Sequence, residues 1–89
     1  MKEKVIFLEQ YISYLTLFRG RCTGRKAQWL LAGVKGFLSQ TISDQEKAQG
    51  IRQIFLAWQS WMQVIYPEED ALCKACLSLG EEIIADLSG

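Results

Sequence analysis

Hydrophobic residues repeat with a helical period between positions 43 and 67, and this is the clearest pattern in the chain. Six of them recur at steps of three and four, which places them on one helical face: Ala48, Ile51, Phe55, Trp58, Met62 and Ile65. Ser43 and Glu46 form the S-x-x-E capping box that starts a helix, and Pro67 ends it because proline has no backbone N–H to donate. About 22 residues at 1.5 Å each predict a helix of roughly 33 Å, onto which the other elements pack.

The first helix is predicted from Lys2 to Arg19, and its hydrophobic residues are not confined to one face. The main stripe is expected in the core and comprises Val5, Leu8, Tyr11, Ile12, Leu15 and Phe18. Phe7 and Tyr14 widen this stripe. Ile6 and Leu17 lie nearly opposite it. Residues 20–26 are then predicted to be a turn, in which Gly20 ends the first helix and Thr23 caps the second.

The second helix is predicted from Arg25 to Gln40, and one side of it is apolar. That side comprises Ala27, Leu30, Leu31, Val34, Phe37 and Leu38. The far side carries Trp29, Gly33 and Gly36. Two explanations for these glycines stay open: a shallow groove beside the tryptophan, or a close approach of a neighbouring helix.

Pro67 and the three acidic residues at 68–70 predict the start of a fourth helix. Its main stripe is Leu72, Cys76, Leu79 and Ile83, and a second stripe alongside is Cys73, Leu77 and Ile84. No strand alternation and no linker interrupts the chain. The sequence therefore predicts an all-α fold in one domain over residues 1–89, with about four antiparallel helices in a small bundle or in a tetratricopeptide-like stack of helical hairpins.

Hydrophobic residues make up 49% of the 89 residues, and aromatic residues make up 11%. A domain this small buries only about 60 to 65% of its extended surface, so either an apolar surface faces a partner or the core is unusually well filled. Both explanations stay open. The residues that project away from the expected core are the candidate partner-binding site: Trp29, Leu56, Trp61, Val64, Leu77 and Ile84.

The formal net charge is zero but is distributed unevenly. Residues 1–40 contain seven basic and two acidic side chains, and residues 41–89 contain three basic and eight acidic ones, which gives +5 and −5. Zero net charge argues against non-specific attraction to nucleic acid. The longest uncharged run has 15 residues, too few for a membrane span, and the first residues lack a signal-peptide pattern. The odd number of cysteines, three, fits reduced thiols. Because thiols stay reduced in the cytoplasm, we expect a cytoplasmic protein.

The chain contains no histidine, which removes the commonest general base and metal ligand. We expect no enzymatic activity and no cofactor. Cys73 and Cys76 form a C-x-x-C motif, but they fall inside the predicted fourth helix and follow acidic residues, unlike redox and zinc pairs. We interpret them as buried structural thiols, with a metal site that includes Cys22 and a redox pair as the alternatives.

Basic residues cluster around the predicted turn: Arg19, Arg21, Arg25 and Lys26. They could contact phosphates while Trp29 stacks on a base. Basic side chains in a loop are usually only solvated, and no predicted helix has a basic stripe with base-reading residues. Nucleic-acid binding is therefore an alternative to protein binding.

Two windows resemble the first helix of a tetratricopeptide unit. One comprises Trp29, Ala32, Gly33 and Gly36, and the other Cys76, Leu79, Gly80 and Ile83. Their glycines are 47 residues apart rather than about 34, so the windows are not a regular repeat. The stretch from Tyr66 to Ile83, about a fifth of the chain, resembles the C-terminal part of small tetratricopeptide-like bacterial chaperones that hold type III secretion needle subunits. This resemblance implies a cytosolic chaperone whose apolar concave face holds an amphipathic helix of its partner.

The sequence thus predicts a non-enzymatic protein–protein interaction module. We expect a small cytosolic chaperone or adaptor that holds an amphipathic helix of a partner on an apolar face. One alternative is a homodimeric structural or regulatory bundle that uses the same surface on itself. The other is a small nucleic-acid-binding regulator that uses the basic segment 19–26.

Overall fold

In the computed structural model the described residues are 2–65 and 71–89, with side chains described for 2–62 and 71–89. They form the helices α1 (Lys2–Arg19), α2 (Arg21–Ser39), α3 (Asp44–Ile65) and α4 (Ala71–Ser88). Each helix packs against two others in the cyclic order α1, α2, α3, α4, and α4 returns to contact α1. The predicted all-α bundle is confirmed. Because α1 and α4 are in contact, the bundle is closed and is not an open stack of hairpins.

The helix α3 begins where its sequence predicts. The Glu46 N–H donates to Ser43 Oγ at 3.2 Å, and the Lys47 N–H donates to the Ser43 carbonyl at 3.0 Å. Ser43 Oγ in turn donates to Glu46 Oε1 at 3.1 Å, so the carboxylate bonds to the hydroxyl instead of the backbone N–H of a complete capping box. The 22 residues of α3 run the length of a bundle whose longest dimension is 35 Å. The predicted end signal at Pro67 and start signal at 67–70 lie outside the described residues.

The core is built from one stripe of each helix, largely as the periodicity predicts. Its members are Leu8, Ile12 and Leu15 from α1; Ala27, Leu30 and Val34 from α2; Ala48, Ile51, Phe55, Trp58 and Met62 from α3; and Cys73, Cys76, Leu79, Ile83 and Ile84 from α4. Trp58, in the middle of the bundle, is fully buried. Burial of each large apolar side chain stabilises the fold by about 1.5–3 kcal/mol, so this shared stripe holds the four helices together.

The predicted turn over residues 20–26 is wrong, because only Gly20 separates α1 from α2. Gly20 has φ of 91°, a conformation that glycine adopts without strain, and it reverses the chain in one residue. Thr23, the predicted cap, is 1% exposed inside α2, and a β-carbon at Gly24 would lie 3.0 Å from Thr16 side-chain atoms of α1. Small residues therefore let α1 and α2 approach immediately after the turn, and this packing overrides the turn-forming composition.

The outward side of α1 differs from the prediction. Phe18, expected in the core, is 65% exposed, and Phe7 and Tyr14, expected beside the core stripe, are also exposed. Since α1 is covered only by α2 and α4, about half of its circumference faces outward. We refer to the apolar residues on this outward side as the α1 face: Ile6, Phe7, Tyr14, Leu17 and Phe18.

Ion pairs between described residues connect α1 to its neighbours. Lys35 Nζ of α2 lies 2.5 Å from Glu9 Oε1, and Lys4 Nζ donates to Asp86 Oδ2 of α4 at 2.6 Å. The hydrogen bond to Lys4 lowers the pKa of the Asp86 carboxyl, and the same bond raises the pKa of Lys4. Both groups are exposed enough for solvent to screen them, so the pair orients α4 against α1 more than it stabilises the fold.

Candidate protein-binding surface on α3

A groove lies between α3 and α4, and it brings together three of the predicted partner-binding residues. It is lined by Arg52, Phe55, Leu56 and Gln59 from α3 and by Leu77, Glu81 and Ile84 from α4. Its volume is about 260 Å³, below the range of roughly 300–1,000 Å³ that is typical of small-molecule sites. The groove is thus suited to side chains of another protein rather than to a whole small molecule.

The groove has a buried floor and an exposed rim. Ile84 is only 9% exposed and belongs to the core cluster, so its predicted role as an outward binding residue is corrected to that of a floor residue. Leu77 is half-buried, and Leu56 on the rim is 51% exposed. The floor is set by the close approach of α3 to α4, because a β-carbon at Gly80 would lie 2.6 Å from the Phe55 ring. Glycine at this position allows the ring to rest against the α4 backbone.

Opposite charges border this groove. Arg52 stands on the α3 side and Glu81 on the α4 side, and both side chains are exposed. A partner helix with an apolar stripe between an acidic edge and a basic edge would therefore meet complementary charge on both sides. These two charges would also determine which face of such a helix points into the groove.

The two exposed tryptophans of the predicted site lie together on the other side of α3. The rings of Trp29 in α2 and Trp61 in α3 have centroids 4.8 Å apart and an interplanar angle of 57°. Lys26 Nζ lies 4.6 Å from the centroid of the Trp61 ring, a cation–π geometry. Trp29 is 43% exposed and Trp61 is 38% exposed, so the pair is half covered by its own contacts and half open to a partner.

Between the groove and the tryptophan pair, the outer surface of α3 carries no charge over residues 53–62. Its exposed or half-buried positions there are Gln53, Ile54, Leu56, Ala57, Gln59, Ser60 and Trp61. We call the groove, the tryptophan pair and this uncharged strip the α3 surface. Val64, also predicted to bind, belongs to α3, but its side chain lies outside the described residues.

The glycines of α2 have different surroundings. A β-carbon at Gly33 would lie 2.5 Å from Ile54 Cδ1 of α3, whereas none of the atoms described lies within 4 Å of a β-carbon at Gly36. Gly33 therefore supports the close approach of α2 and α3, which decides between the two explanations that the sequence left open. The Trp29 ring packs against the Trp61 ring of α3, so it does not border an empty groove.

The basic cluster lies on helices rather than in a loop. Arg19 ends α1, where its Nη1 donates to the Phe18 carbonyl at 3.3 Å, and Arg21 and Arg25 are exposed in the first turns of α2. Lys26, the fourth member, lies over the Trp61 ring. The contact places Lys26 against the tryptophan pair of the α3 surface.

The cysteines are distributed as the interpretation of structural thiols expects. Cys73 is 7% exposed and Cys76 is fully buried in the core, whereas Cys22 is exposed on α2. Since α2 and α4 lie diagonally across the bundle, Cys22 does not join the C-x-x-C pair. Within residues 2–65 and 71–89, no cluster of three or more histidine, cysteine, aspartate or glutamate side chains has the arrangement of a metal site.

The α1 face was not among the predicted binding residues, although all five of its members are exposed. The sequence contains a signal for it, since α1 is apolar on nearly every side, whereas an ordinary surface helix has one polar face. A helix of this kind must pack against other apolar surfaces on more than one side. The sequence does not indicate which side lacks that cover.

Among the described helices, none combines the length and apolar character that would carry it across a membrane. No protein-family model, no curated protein and no solved structure matches this chain.

Proposed function

We propose that this protein is a non-enzymatic interaction module, a small cytosolic chaperone or adaptor that holds an amphipathic helix of a partner protein on the α3 surface. The observation that carries the proposal is the uncharged outer strip of α3, on which Leu56 and Trp61 remain 51% and 38% exposed. Large exposed apolar groups on a strip without charge are typical of a protein-binding surface. Exposed aromatic anchors of this kind supply much of the affinity in such interfaces.

In this proposal the partner helix binds in the groove between α3 and α4. Its apolar stripe packs on Leu56, Leu77 and the floor, while its acidic and basic edges face Arg52 and Glu81. A partner that also extends across the uncharged strip of α3 contacts the tryptophan pair on the other side of this helix. We place the partner in this groove rather than on the concave face that the resemblance to secretion chaperones implies, because the contact of α1 with α4 closes the bundle where a hairpin stack would be open.

The test uses a labelled model peptide and the full-length protein. The peptide has about 18 residues, a leucine stripe at helical spacing, glutamates along one edge and lysines along the other, and its binding is followed by fluorescence anisotropy. A peptide of the same composition without the stripe is the control. We expect saturable binding of the striped peptide only, because the groove recognises an apolar stripe.

Two variants locate the binding. Leu56→Lys is expected to weaken the peptide affinity by tenfold or more, as loss of an anchor of about 1.4 kcal/mol or larger would do. Leu17→Lys is the matched control, since this leucine is also exposed but lies on α1, diagonally opposite α3. Equal effects of the two variants, or equal binding of both peptides, would refute the proposal. Trp61→Ala should weaken binding more than it lowers stability, and equal losses would show that Trp61 serves the core.

A further inference from the structure

The α1 face is an apolar surface that none of the described helices covers. Its five side chains range from 47% exposed for Tyr14 to 74% exposed for Leu17. Gln10 and Ser13, which lie among them on the outward side, are exposed and uncharged. The exposed charges of α1 are Lys2 and Glu3, both at its beginning. The face is therefore an apolar strip with Lys2 and Glu3 at its beginning, and the half-buried Lys4 and Glu9 beside it are in ion pairs with α4 and α2.

The size of the α1 face fits a second copy of the same surface. Taking large side chains at about 150–250 Å² each, the five exposed fractions amount to roughly 500 Å² per copy. Two such faces would together bury about 1,000 Å², the area at which specific interfaces begin, before the polar positions are counted. A single copy would leave a patch near the upper end of what monomeric proteins expose.

The charges at the two ends of α1 show how two copies would align. Glu3 is exposed at the beginning of α1, and Arg21 is exposed just after the turn that ends it. An antiparallel pairing centred on residue 12 brings Glu3 of each copy to the far end of α1 in the other copy, where Gly20 reverses the chain and Arg21 begins α2. A parallel pairing would instead set Glu3 against Glu3. Arg21 also lies in the first turn of α2, where the helix dipole disfavours a positive charge. A carboxylate close to Arg21 would offset this unfavourable interaction.

We propose that two copies of this chain form an antiparallel, two-fold symmetric dimer through the α1 face. The dimer pairs apolar residues as well as charges, because the same symmetry sets Ile6 opposite Phe18 and Phe7 opposite Leu17. The surface is formed by one helix, and the side-chain ridges of a helix pack into the grooves of a second helix. A two-fold axis requires only that the patch complement itself. Since α1 is diagonal to α3, the α3 surface of both copies stays accessible in the dimer. The dimer does not depend on the function proposed for that surface.

The first experiment measures the mass of the full-length protein by sedimentation equilibrium at micromolar concentrations. We expect a dimer, with a dissociation constant that rises about a hundredfold in Leu17→Glu, because a buried carboxylate replaces an anchor of the seam. Leu56→Glu is the matched control and should remain dimeric. Far-UV circular dichroism confirms that each variant is folded. A wild-type monomer, or a dimer lost in Leu56→Glu but kept in Leu17→Glu, would overturn the proposal.

The second experiment tests the antiparallel alignment by exchanging the charges. Glu3→Arg and Arg21→Glu should each weaken the dimer several-fold, and the double variant should restore it, because the ion pair re-forms with its charges reversed. A spin label on the exposed Cys22 gives the distance directly, since the other two cysteines are buried. Cys22 lies in the first turn of α2, near the end of α1, and that end is seven residues from the centre, so 1.5 Å per residue predicts label separations of roughly 20 Å along the helix axis. Adjacent labels, or a double variant without rescue, would contradict the alignment.

A third arm separates a dimer from binding to lipid. The wild-type protein is mixed with phosphatidylglycerol vesicles, and sedimentation with the vesicles is measured beside Leu17→Glu. We expect the protein to remain in the supernatant, because the α1 face is occupied by the second copy. A monomer that binds vesicles through Leu17 would overturn the dimer in favour of a lipid surface. The peptide titration on the α3 surface is read separately, so failure of either proposal is distinguishable from failure of the other.

Discussion

The contact between Gly80 and Phe55 predicts opposite effects for two Gly→Ala substitutions. A β-carbon at Gly80 would lie 2.6 Å from Cε1 and Cζ of Phe55 and 2.8 Å from Cδ1. Carbon atoms pack best at about 3.5–4.0 Å, so the ring must move by roughly 1 Å. Phe55 is only 6% exposed and is held between α3 and α4, so its ring can move only by displacing packed neighbours or by turning into the groove that it lines. At Gly36 the same added carbon meets no described atom within 4 Å.

The magnitudes follow from two terms. Replacing a helical glycine by alanine stabilises by about 0.5–1 kcal/mol, because alanine loses less backbone entropy on folding. Overpacking of a filled core costs about 1–3 kcal/mol. Gly36→Ala gains the entropic stabilisation alone. Gly80→Ala has the same entropic gain but also the cost of overpacking. The first term is common to the two variants, so their free energies of unfolding should differ by about 1–3 kcal/mol, with Gly80→Ala the less stable.

Urea denaturation followed by far-UV circular dichroism measures these differences. One kcal/mol corresponds to a shift of about 4–8 °C in Tm for a domain of this size, so thermal melts provide a second reading. In the background of Phe55→Leu, where the ring is absent, the cost of Gly80→Ala should largely disappear. If Gly80→Ala were as stable as Gly36→Ala, or if its cost were unchanged in that background, the close packing of α4 on Phe55 would be refuted.

Three further predictions concern the cap, an ion pair and the thiols. Ser43→Ala should lower the free energy of unfolding by about 0.5–2 kcal/mol through loss of the α3 cap, while Ser60→Ala, exposed within α3, should change it little; similar urea midpoints would contradict the cap. The effect of Asp86→Asn should be largest near neutral pH and should vanish as the pH falls through the folded pKa of Asp86, which its bond to Lys4 holds below the ordinary value; a pH-independent difference between the urea midpoints would contradict this. In the native protein, Ellman's reagent should modify Cys22 rapidly and the two buried α4 cysteines only on unfolding, and three equal rates would show that α4 is not packed as described.

The candidate site illustrates which functional features periodicity can identify. Leu56 and Trp61 were predicted as binding residues because they fall off the core face of α3, and both are exposed. Trp29 was also predicted, but its packing on Trp61 joins residues 32 positions apart, and no helical period relates them. Ile84 lies on the second stripe of α4, and it is buried because the Gly80 contact draws α3 over that side of the helix.

The sequence by itself determined the helical class of the fold, the start of α3 and most of the core. These features depend on local chemistry: the 3.6-residue period selects one face of each helix, and the Ser43 hydroxyl satisfies a backbone N–H three residues away. A helix with one apolar face, such as α3, can be oriented from its own residues alone.

Only the tertiary structure decided the orientation of α1 and the position of the α1–α2 turn. Because α1 is apolar on nearly every side, its burial depends on which neighbours arrive, and α2 and α4 cover Leu8 and Ile12 but leave Leu17 and Phe18 outside. Likewise, the start of α2 directly after Gly20 depends on close packing against α1, which no local propensity encodes. Burial is a property of pairs of elements, so a sequence predicts it only where one side of an element is clearly polar.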